Sequence, residues 1–351
     1  MPRGIIMIFS RLSEKNRVIV GVLLFVAVFA ALLIAASFTD LEVSDLLTGG
    51  ALEEGEYLSH DVFGVAFEIF GSSPIYVMAG ICVVLLMLYV WRTLKLRPMR
   101  EIICVILLAG SVLAFWFFFD DMFGYIGEHA HAEGTYLETA MTVIAVLCAL
   151  LTSAVVTAAF YRIKDETLKK LMKFVIAFVI MAVIANVLVM IIKEPVGRMR
   201  YRAMNSDLGQ SLGGFANFQN WYESRGGQPE EWSAYFESAY GVTDAFKSFP
   251  SGHTCAAGMT YALIMLPDVL GIRNKGVRAL CWIFPVAFTA VVAISRIVVG
   301  AHFFSDVLFG GTIAFLSMMF AREAIIFRFR HFRCFGKNYV PAPEEDAEFA
   351  A

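Results

Sequence analysis

Two residues that could perform chemistry, His302 and Asp306, follow the apolar run Ala279–Val299. They are four positions apart, so on a helix both would lie on one face. A carboxylate in that position can hold the proton of one imidazole nitrogen and leave the other nitrogen free to attack. Arg296 lies just before them, and a guanidinium suits a cluster of anionic oxygens. The spacing therefore predicts a nucleophilic histidine beside an anion site.

A second stretch that could take part in catalysis is FPSGH, residues 249–253, directly before the apolar run Thr254–Leu270. Ser251 or Gly252 can cap the helix that this run predicts. The start of a helix carries free N–H groups and a partial positive charge, so it can bind an anion. His253 at that start could donate a proton to a leaving group.

The third stretch is KEPVGRMR, directly after the apolar run Met172–Ile192. Its Lys193 and Arg200 are two cations of the kind that a phosphate needs. Each of the three stretches lies at an end of an apolar run. The elements that must position the chemistry are therefore the ends of apolar helices.

Together the three stretches resemble the signature of the type-2 phosphatidic acid phosphatase superfamily. That family carries KxxxxxxRP, PSGH and SRxxxxxHxxxD in this order. The second and third patterns match fully, whereas Tyr201 replaces the proline of the first. The matching residues are Lys193, Arg200, Pro250, Ser251, Gly252, His253, Ser295, Arg296, His302 and Asp306. The resemblance covers residues 100–322 and leaves out the N-terminal part.

The resemblance implies hydrolysis of a phosphomonoester or a pyrophosphate through a phosphohistidine, without a metal or another cofactor. His302 would attack phosphorus, and Asp306 would hold it in the reactive tautomer. His253 would protonate the leaving oxygen and later activate water. The expected ligands of the phosphate oxygens are Lys193, Arg200, Arg296, the Ser251 hydroxyl and the Gly252 N–H.

The composition places this site in a membrane. The chain is 59% hydrophobic and 17% charged, whereas a soluble globular chain is about 25% charged. Long apolar runs without charges predict a multi-pass membrane protein with an all-α fold. The net charge of −3 gives no reason to expect a nucleic-acid partner. A lipid phosphate or a prenyl diphosphate, entering sideways from the membrane lipid, is therefore the expected substrate.

The apolar runs predict a bundle of about eight transmembrane helices. They are Val18–Phe38, Ile75–Trp91, Ile102–Phe119, Thr139–Phe160, Met172–Ile192, Thr254–Leu270, Ala279–Val299 and Phe303–Ile326. We divide the chain into an N-terminal extension with two spans (1–100), a six-helix phosphatase core (101–326) and a cytoplasmic tail (327–351). The core includes the polar segment 201–247 on the outer face. The end of the tail is acidic and is predicted to be disordered.

The loop charges predict the orientation. Of the 28 Lys and Arg residues, 21 lie in the N-terminus, in alternate loops and in the tail. The positive-inside rule then places both termini in the cytoplasm of a cell-membrane protein and all three motifs on the outer face. The seven remaining cations are Lys193, Arg198, Arg200, Arg202, Arg225, Lys247 and Arg296.

The segment Glu230–Tyr240 places Trp232, Tyr235, Phe236 and Tyr240 at helical spacing. Such a helix could lie at the membrane interface over or beside the site, because Trp and Tyr favour that zone. A packed extracellular cap without a role in ligand binding is an equal alternative.

A possible metal cluster, EHAHAE, contains Glu128, His129, His131 and Glu133. Its two histidines are two positions apart, which suits a strand or loop better than one helix face. Surface residues of an outer loop explain the cluster better, so we assign no metal.

Two other functions remain open at the level of sequence. The same motifs serve phosphotransferases that pass the phosphoryl group to an acceptor other than water. A non-catalytic transporter of lipid phosphates would also suit eight spans, although the chain has no inverted repeat and no pair of Gly/Pro-broken spans. No pattern predicts an oligomeric state.

Overall fold

The computed structural model describes residues 13–130 and 136–335, and it confirms the predicted all-α membrane bundle. The α-helices are α1 (Glu14–Thr48), α2 (Val62–Gly71), α3 (Ser73–Thr93), α4 (Arg97–His129), α5 (Tyr136–Tyr161), α6 (Asp165–Val196), α7 (Tyr201–Asn205), α8 (Asp207–Ser211), α9 (Glu230–Tyr240), α10 (Gly252–Ala257), α11 (Leu266–Leu270), α12 (Lys275–Val298) and α13 (Phe304–Ala321). Short 3₁₀ segments at Gly214–Asn217, Gly258–Met265 and Arg330–Phe335 and a π-helical turn at Arg322–Phe327 complete the described elements.

Seven helices of the described residues are long and apolar enough to cross a membrane, compared with the eight predicted. The difference is the run Thr254–Leu270, which is divided among α10, a 3₁₀ segment and α11. This segment packs very closely on α13, because a Cβ at Gly258 would lie 2.5 Å from the Cβ of Ala314. A 3₁₀ segment rises about 2.0 Å per residue, so the broken run still extends on the order of 30 Å.

The broken run lies at the centre of the bundle, between α3, α6, α12 and α13. Its side chains share one apolar core with α3, α6 and α13. Fully or almost fully buried members of this core are Val84, Leu85, Phe178, Met181, Met259, Ile264, Met265 and Met318. The core holds the helix ends that carry the three motifs in fixed relative positions.

Two helices continue well past the apolar runs from which they were predicted. The first predicted span ended at Phe38, but α1 continues to Thr48. The third ended at Phe119, but α4 continues to His129. Both extensions lie at the end of the bundle that carries the motifs, so they bring polar side chains close to them.

The short helix α2 is packed against the bundle. It packs on α12, and a Cβ at Gly64 would come within 2.4 Å of the Val299 side chain. Its one charged residue, Glu68, is 2% exposed. One face of the helix, which carries Gly64 and Glu68, is therefore buried.

The segment 201–247 forms a second core above the bundle. The helix α9 has the predicted bounds, Glu230–Tyr240, and its Phe236 is completely buried against Tyr57 and Phe246. Tyr235 on the same helix is exposed. This burial of one face of α9 agrees with the alternative in which the segment forms a packed cap.

The basic turns lie at the opposite end of the bundle from the motifs. Arg92 donates to Asp165 at 2.7 Å and to the carbonyl oxygen of Ile163 at 2.6 Å. Asp165 begins α6, whereas Lys193 lies in its last turn, roughly 42 Å away along a helix. The predicted disordered end of the tail, residues 336–351, lies outside the described residues.

Candidate active site

His302 lies in the connection between α12 and α13, and only 1% of it is exposed. Its Nδ1 is 2.6 Å from the carbonyl oxygen of Ser248. A carbonyl oxygen can only accept, so Nδ1 carries the proton and Nε2 has the free lone pair. Oδ2 of Asp306, which was predicted to hold this proton, is 3.7 Å away. The reactive tautomer is therefore fixed first by a backbone carbonyl.

Asp306 supports the same connection from the start of α13. Phe303 occupies the N-cap position and has no side-chain oxygen, so the Asp306 carboxylate accepts the Phe303 N–H at 2.8 Å. The carboxylate also accepts the Ser248 hydroxyl and Nη1 of Arg198, the latter at 2.6 Å. Asp306 thus fixes the residue that orients His302 and brings a negative charge close to the imidazole.

Both histidines are neutral at ordinary pH. Burial lowers the pKa of His302 to about 3, because the neighbouring Asp306 offsets only part of the desolvation and the charge of Arg200 acts in the same direction as burial. Burial and the charge of Arg296 lower the pKa of His253 well below its usual range. Neutral His302 can act as a nucleophile, whereas His253 needs a proton before it can act as an acid.

His253 lies in the first turn of α10. The Ser251 hydroxyl caps this helix as predicted, by accepting the N–H of Thr254 at 3.3 Å. The His253 ring contacts the edge of the Tyr125 ring, with centroids 5.5 Å apart. Its Nε2 is buried and has no hydrogen-bond partner within the described residues. That nitrogen is free to contact a bound phosphate ester.

Two of the predicted phosphate ligands lie on either side of this turn. A Cβ at Gly252 would lie 3.6 Å from Nζ of Lys193, so the ammonium group lies beside the start of α10. Arg296 is 1% exposed, and its Nη2 donates to Glu68 at 2.8 Å. Its Nε and Nη1 are buried without a partner in the described part of the chain. These donors are placed to bind an anion.

Arg200 has an extended backbone even though Tyr201 replaces the proline of the motif. Its φ of −72° and ψ of 152° are extended, and Tyr201 begins α7. A proline favours that first helical position and an extended residue before it. The guanidinium is held by Asp244, with Nη2 2.6 Å from the carboxylate. The backbone of Arg200 is therefore one that a proline at position 201 would also favour.

Sequence reasoning missed the role of Arg198, which is completely buried. Its Nη1 donates to Asp306 at 2.6 Å, and its Nη2 donates to Asp40 of α1 at 2.9 Å. The guanidinium also lies 4.1 Å above the centre of the Phe303 ring. Arg198 therefore belongs to the support of Asp306 rather than to the predicted set of phosphate ligands.

Glu68 was also missed, although the sequence carried a signal for it. It is the one charged residue of the apolar helix α2, and an ionisable residue in such a run is a functional candidate by default. Its carboxylate accepts from Arg296, and it lies 3.3 Å from Nη1 of Arg202 and 3.4 Å from Nε2 of His129. Glu68 thus joins two arginines and a histidine at one point.

The first two residues of the EHAHAE cluster lie in a helix and not in the predicted loop. Glu128 and His129 form the end of α4, and His129 faces Glu68. His131 and Glu133 lie outside the described residues. Within residues 13–130 and 136–335, no group of three His, Cys, Asp or Glu side chains could hold a metal ion.

The three motifs thus meet at one end of the bundle, as two histidines surrounded by fixed cations. Residues 174–330 match the family model of the PAP2 superfamily. The chain carries a PAP2 superfamily domain. This PAP2 domain contains all three motifs, and its family membership indicates a membrane phosphatase. No curated protein and no solved structure matches the chain.

The PAP2 domain covers only part of the helical bundle. The match begins within α6, so α1, α2 and α3 lie outside it. Asp40 and Glu68 belong to these outside helices, yet both contact arginines of the PAP2 domain. The N-terminal part therefore contributes side chains to the site of the PAP2 domain.

Proposed function

We propose that this chain hydrolyses lipid phosphates or prenyl diphosphates through a phosphohistidine on His302, without a metal, at the outer face of the membrane. The observation that carries the proposal is the buried, neutral imidazole of His302, with the Nδ1 proton held by the Ser248 carbonyl. This contact leaves Nε2 as the nucleophile. The resemblance to the superfamily motif implies such a nucleophile at this position.

In the first step, Nε2 of His302 attacks phosphorus, and a nitrogen–phosphorus bond forms as the bond to the leaving oxygen breaks. The imidazole becomes positively charged, and the Asp306 carboxylate beside it stabilises that charge. Nε2 of His253 gives its proton to the leaving alcohol or phosphate. In the second step His253 takes a proton from water, the hydroxide attacks phosphorus, and His302 leaves as the neutral imidazole.

The low pKa of His253 gives the bound phosphate a part in this step. A bound phosphate brings negative charge close to His253, next to Arg296, and so favours the protonated imidazole. The acid is then charged in the complex with substrate rather than in the free enzyme. The reaction thus starts from a correctly protonated pair only after the phosphate has bound.

Positioning and charge stabilisation are the main tasks in phosphoryl transfer. Lys193, Arg200 and Arg296 would hold the non-bridging oxygens, together with the Ser251 hydroxyl and the Gly252 N–H. The helix α10 has only six residues, so its dipole adds little and the side-chain cations supply most of the positive charge. All of these groups lie where helices end, which suits a substrate whose headgroup remains at the membrane surface.

The test is phosphate release from the purified protein in detergent, with EDTA present and with phosphatidate or a prenyl diphosphate as the substrate. We expect release by the wild type, none by His302→Ala, and wild-type release by His60→Ala, which changes an exposed histidine. Release that survives His302→Ala would contradict the mechanism. No release by the wild type on either lipid would leave the phosphotransferase, which needs another acceptor, or the transporter.

A further inference from the structure

Asp40 is a buried carboxylate in a helix that lies outside the PAP2 domain. It is 3% exposed and lies eight residues before Thr48, the last residue of α1. Its Oδ2 accepts from Nη2 of Arg198 at 2.9 Å, across 158 positions of the chain. Its Oδ1 accepts the backbone N–H of Ser305 at 2.8 Å, and its Oδ2 also accepts the Ser305 hydroxyl.

These contacts connect Asp40 to the nucleophile through a continuous set of hydrogen bonds. Arg198 donates with Nη2 to Asp40, and with Nη1 to Ser305 at 2.8 Å and to Asp306 at 2.6 Å. Asp306 accepts the Ser248 hydroxyl, and the Ser248 carbonyl holds the Nδ1 proton of His302. Asp40 touches neither His302 nor the position of a phosphate, so any effect it has must pass through this set.

The charges of the set explain why a second carboxylate is needed. Arg198 alone would neutralise Asp306, and the imidazolium that develops on His302 would then face an ion pair with no net charge. With Asp40 present, two carboxylates share one guanidinium and the group keeps one negative charge. The three residues are each at most 3% exposed, so solvent screens this charge little.

Asp40 also replaces a missing helix cap. The N-cap residue of α13 is Phe303, whose side chain offers no acceptor to the free N–H groups of the first turn. Asp306 takes the N–H of Phe303, and Asp40 takes that of Ser305 from a different helix. The first turn of α13, which carries Asp306, is therefore fixed from α1.

We infer that Asp40 is a positioning residue for the phosphatase reaction, and that α1 is in this way a working part of the catalytic site. The inference rests on the proposed function, because it concerns the step in which His302 gains charge. Loss of the Asp40 charge should slow that step. It should change substrate binding little, because Asp40 contacts none of the proposed phosphate ligands.

The experiment compares Asp40→Asn with Glu42→Gln in phosphate release by the full-length protein in detergent. Glu42 is an exposed carboxylate on the same helix, so its amide variant controls for loss of charge from α1. We expect kcat of Asp40→Asn to fall about 10–100-fold, the usual cost of losing an outer-shell partner, with KM within about twofold. Glu42→Gln should behave as the wild type.

A double-mutant cycle with Arg198→Gln separates positioning from a general loss of stability. If Asp40 acts through Arg198, Asp40→Asn should cost less than about twofold in kcat once Arg198 is already changed. An equal loss in both backgrounds would overturn the inference. The thermal midpoint of each variant is recorded beside its kcat, so that a folding defect is recognised.

If Asp40→Asn does not fold, Asp40→Ser takes its place, because it also removes the charge and keeps a polar side chain. A fall in kcat with constant KM supports the inference, and a wild-type kcat overturns it. A failure of the proposed function would give a different result from a failure of this inference. The wild type would then release no phosphate, which overturns both proposals, whereas normal release by the wild type and by both Asp40 variants overturns this inference alone.

Discussion

The carboxylate of Glu68 accepts a hydrogen bond from Nη2 of Arg296 at 2.8 Å, although 228 positions separate the two residues in the chain. The contact joins α2 of the N-terminal part to the last turn of α12 in the PAP2 domain. Both side chains are at most 2% exposed. It fixes the orientation of an arginine that retains buried, unpaired donors for a phosphate.

The first prediction concerns the stability that this contact provides. Glu68→Gln would leave Arg296 and Arg202 as buried cations without their shared counter-charge. Breaking a buried ion pair by removing one partner costs about 3–5 kcal/mol. We expect a clearly lower thermal midpoint in detergent, while Glu56→Gln, at an exposed carboxylate, changes it little. Equal midpoints for the two variants would show that Glu68 has no such role.

The second prediction separates the two groups that surround the Nδ1 proton of His302. Ser248→Ala keeps the backbone carbonyl that accepts this proton and removes only the hydroxyl that donates to Asp306. We expect its kcat to fall by less than about tenfold. Asp306→Asn removes the charge beside the developing imidazolium, so its kcat should fall by more than about 100-fold.

The comparison is made by steady-state phosphate release under identical detergent conditions. Equal losses in Ser248→Ala and Asp306→Asn would mean that the hydroxyl, and not the carboxylate charge, matters for the rate. Thermal midpoints of both variants serve as the control, because Asp306 also fixes the first turn of α13.

The third prediction concerns the pH dependence of the rate. The pH at which the rate falls should differ from the ordinary pKa of histidine. The pKa of His302 is lowered to about 3, so the nucleophile stays unprotonated far below the usual pKa of histidine, about 6.5. The limb that protonation of His302 produces should therefore lie below about pH 5. On the alkaline side the rate falls as His253 loses its proton.

The alkaline limb should differ between the two kinetic constants. The profile of kcat/KM reports the free enzyme, whereas that of kcat reports the complex with substrate. Because bound phosphate raises the pKa of His253, the alkaline limb of kcat should lie at higher pH than that of kcat/KM. Rates that are flat from about pH 5 to about pH 9 would contradict the roles given to the two histidines.

The fourth prediction tests whether Arg200 binds phosphate in the absence of the motif proline. Its extended backbone and its contact with Asp244 hold the guanidinium in one orientation. Lysine cannot reproduce the planar fork, so Arg200→Lys should raise KM about tenfold or more. Tyr201→Phe keeps the ring that packs on Phe303 and should keep KM within about twofold. A KM of Arg200→Lys equal to that of the wild type would remove Arg200 from the site.

Much of the site could be predicted because its residues lie at the ends of separate apolar runs. Lys193, His253 and His302 were each assigned from local sequence, and the structure brings their turns together. The helix Glu230–Tyr240 was predicted with its final bounds, since its aromatic residues repeat at helical spacing and Pro229 precedes it. These signals are short-range and do not depend on the partner of each side chain.

The remaining features depend on partners that are distant in the sequence. Nothing local shows that Arg198, Arg200 and Arg202 face four different carboxylates, because those carboxylates come from four other segments. The broken helical run at 252–270 could not be read from its apolar composition either, since close packing of Gly258 on α13 accompanies the break. Glu68 is the exception, because a single charge in an apolar helix was visible in the sequence.

The most direct test of the account is to trap the phosphoryl enzyme. The wild type, mixed with a lipid substrate that carries radiolabelled phosphate and then quenched in alkaline detergent, should hold label that is stable to base and lost in acid, as a phosphohistidine requires. His302→Ala should hold none. Label on another residue, or turnover by the wild type without any base-stable label at early times, would contradict a phosphohistidine at His302.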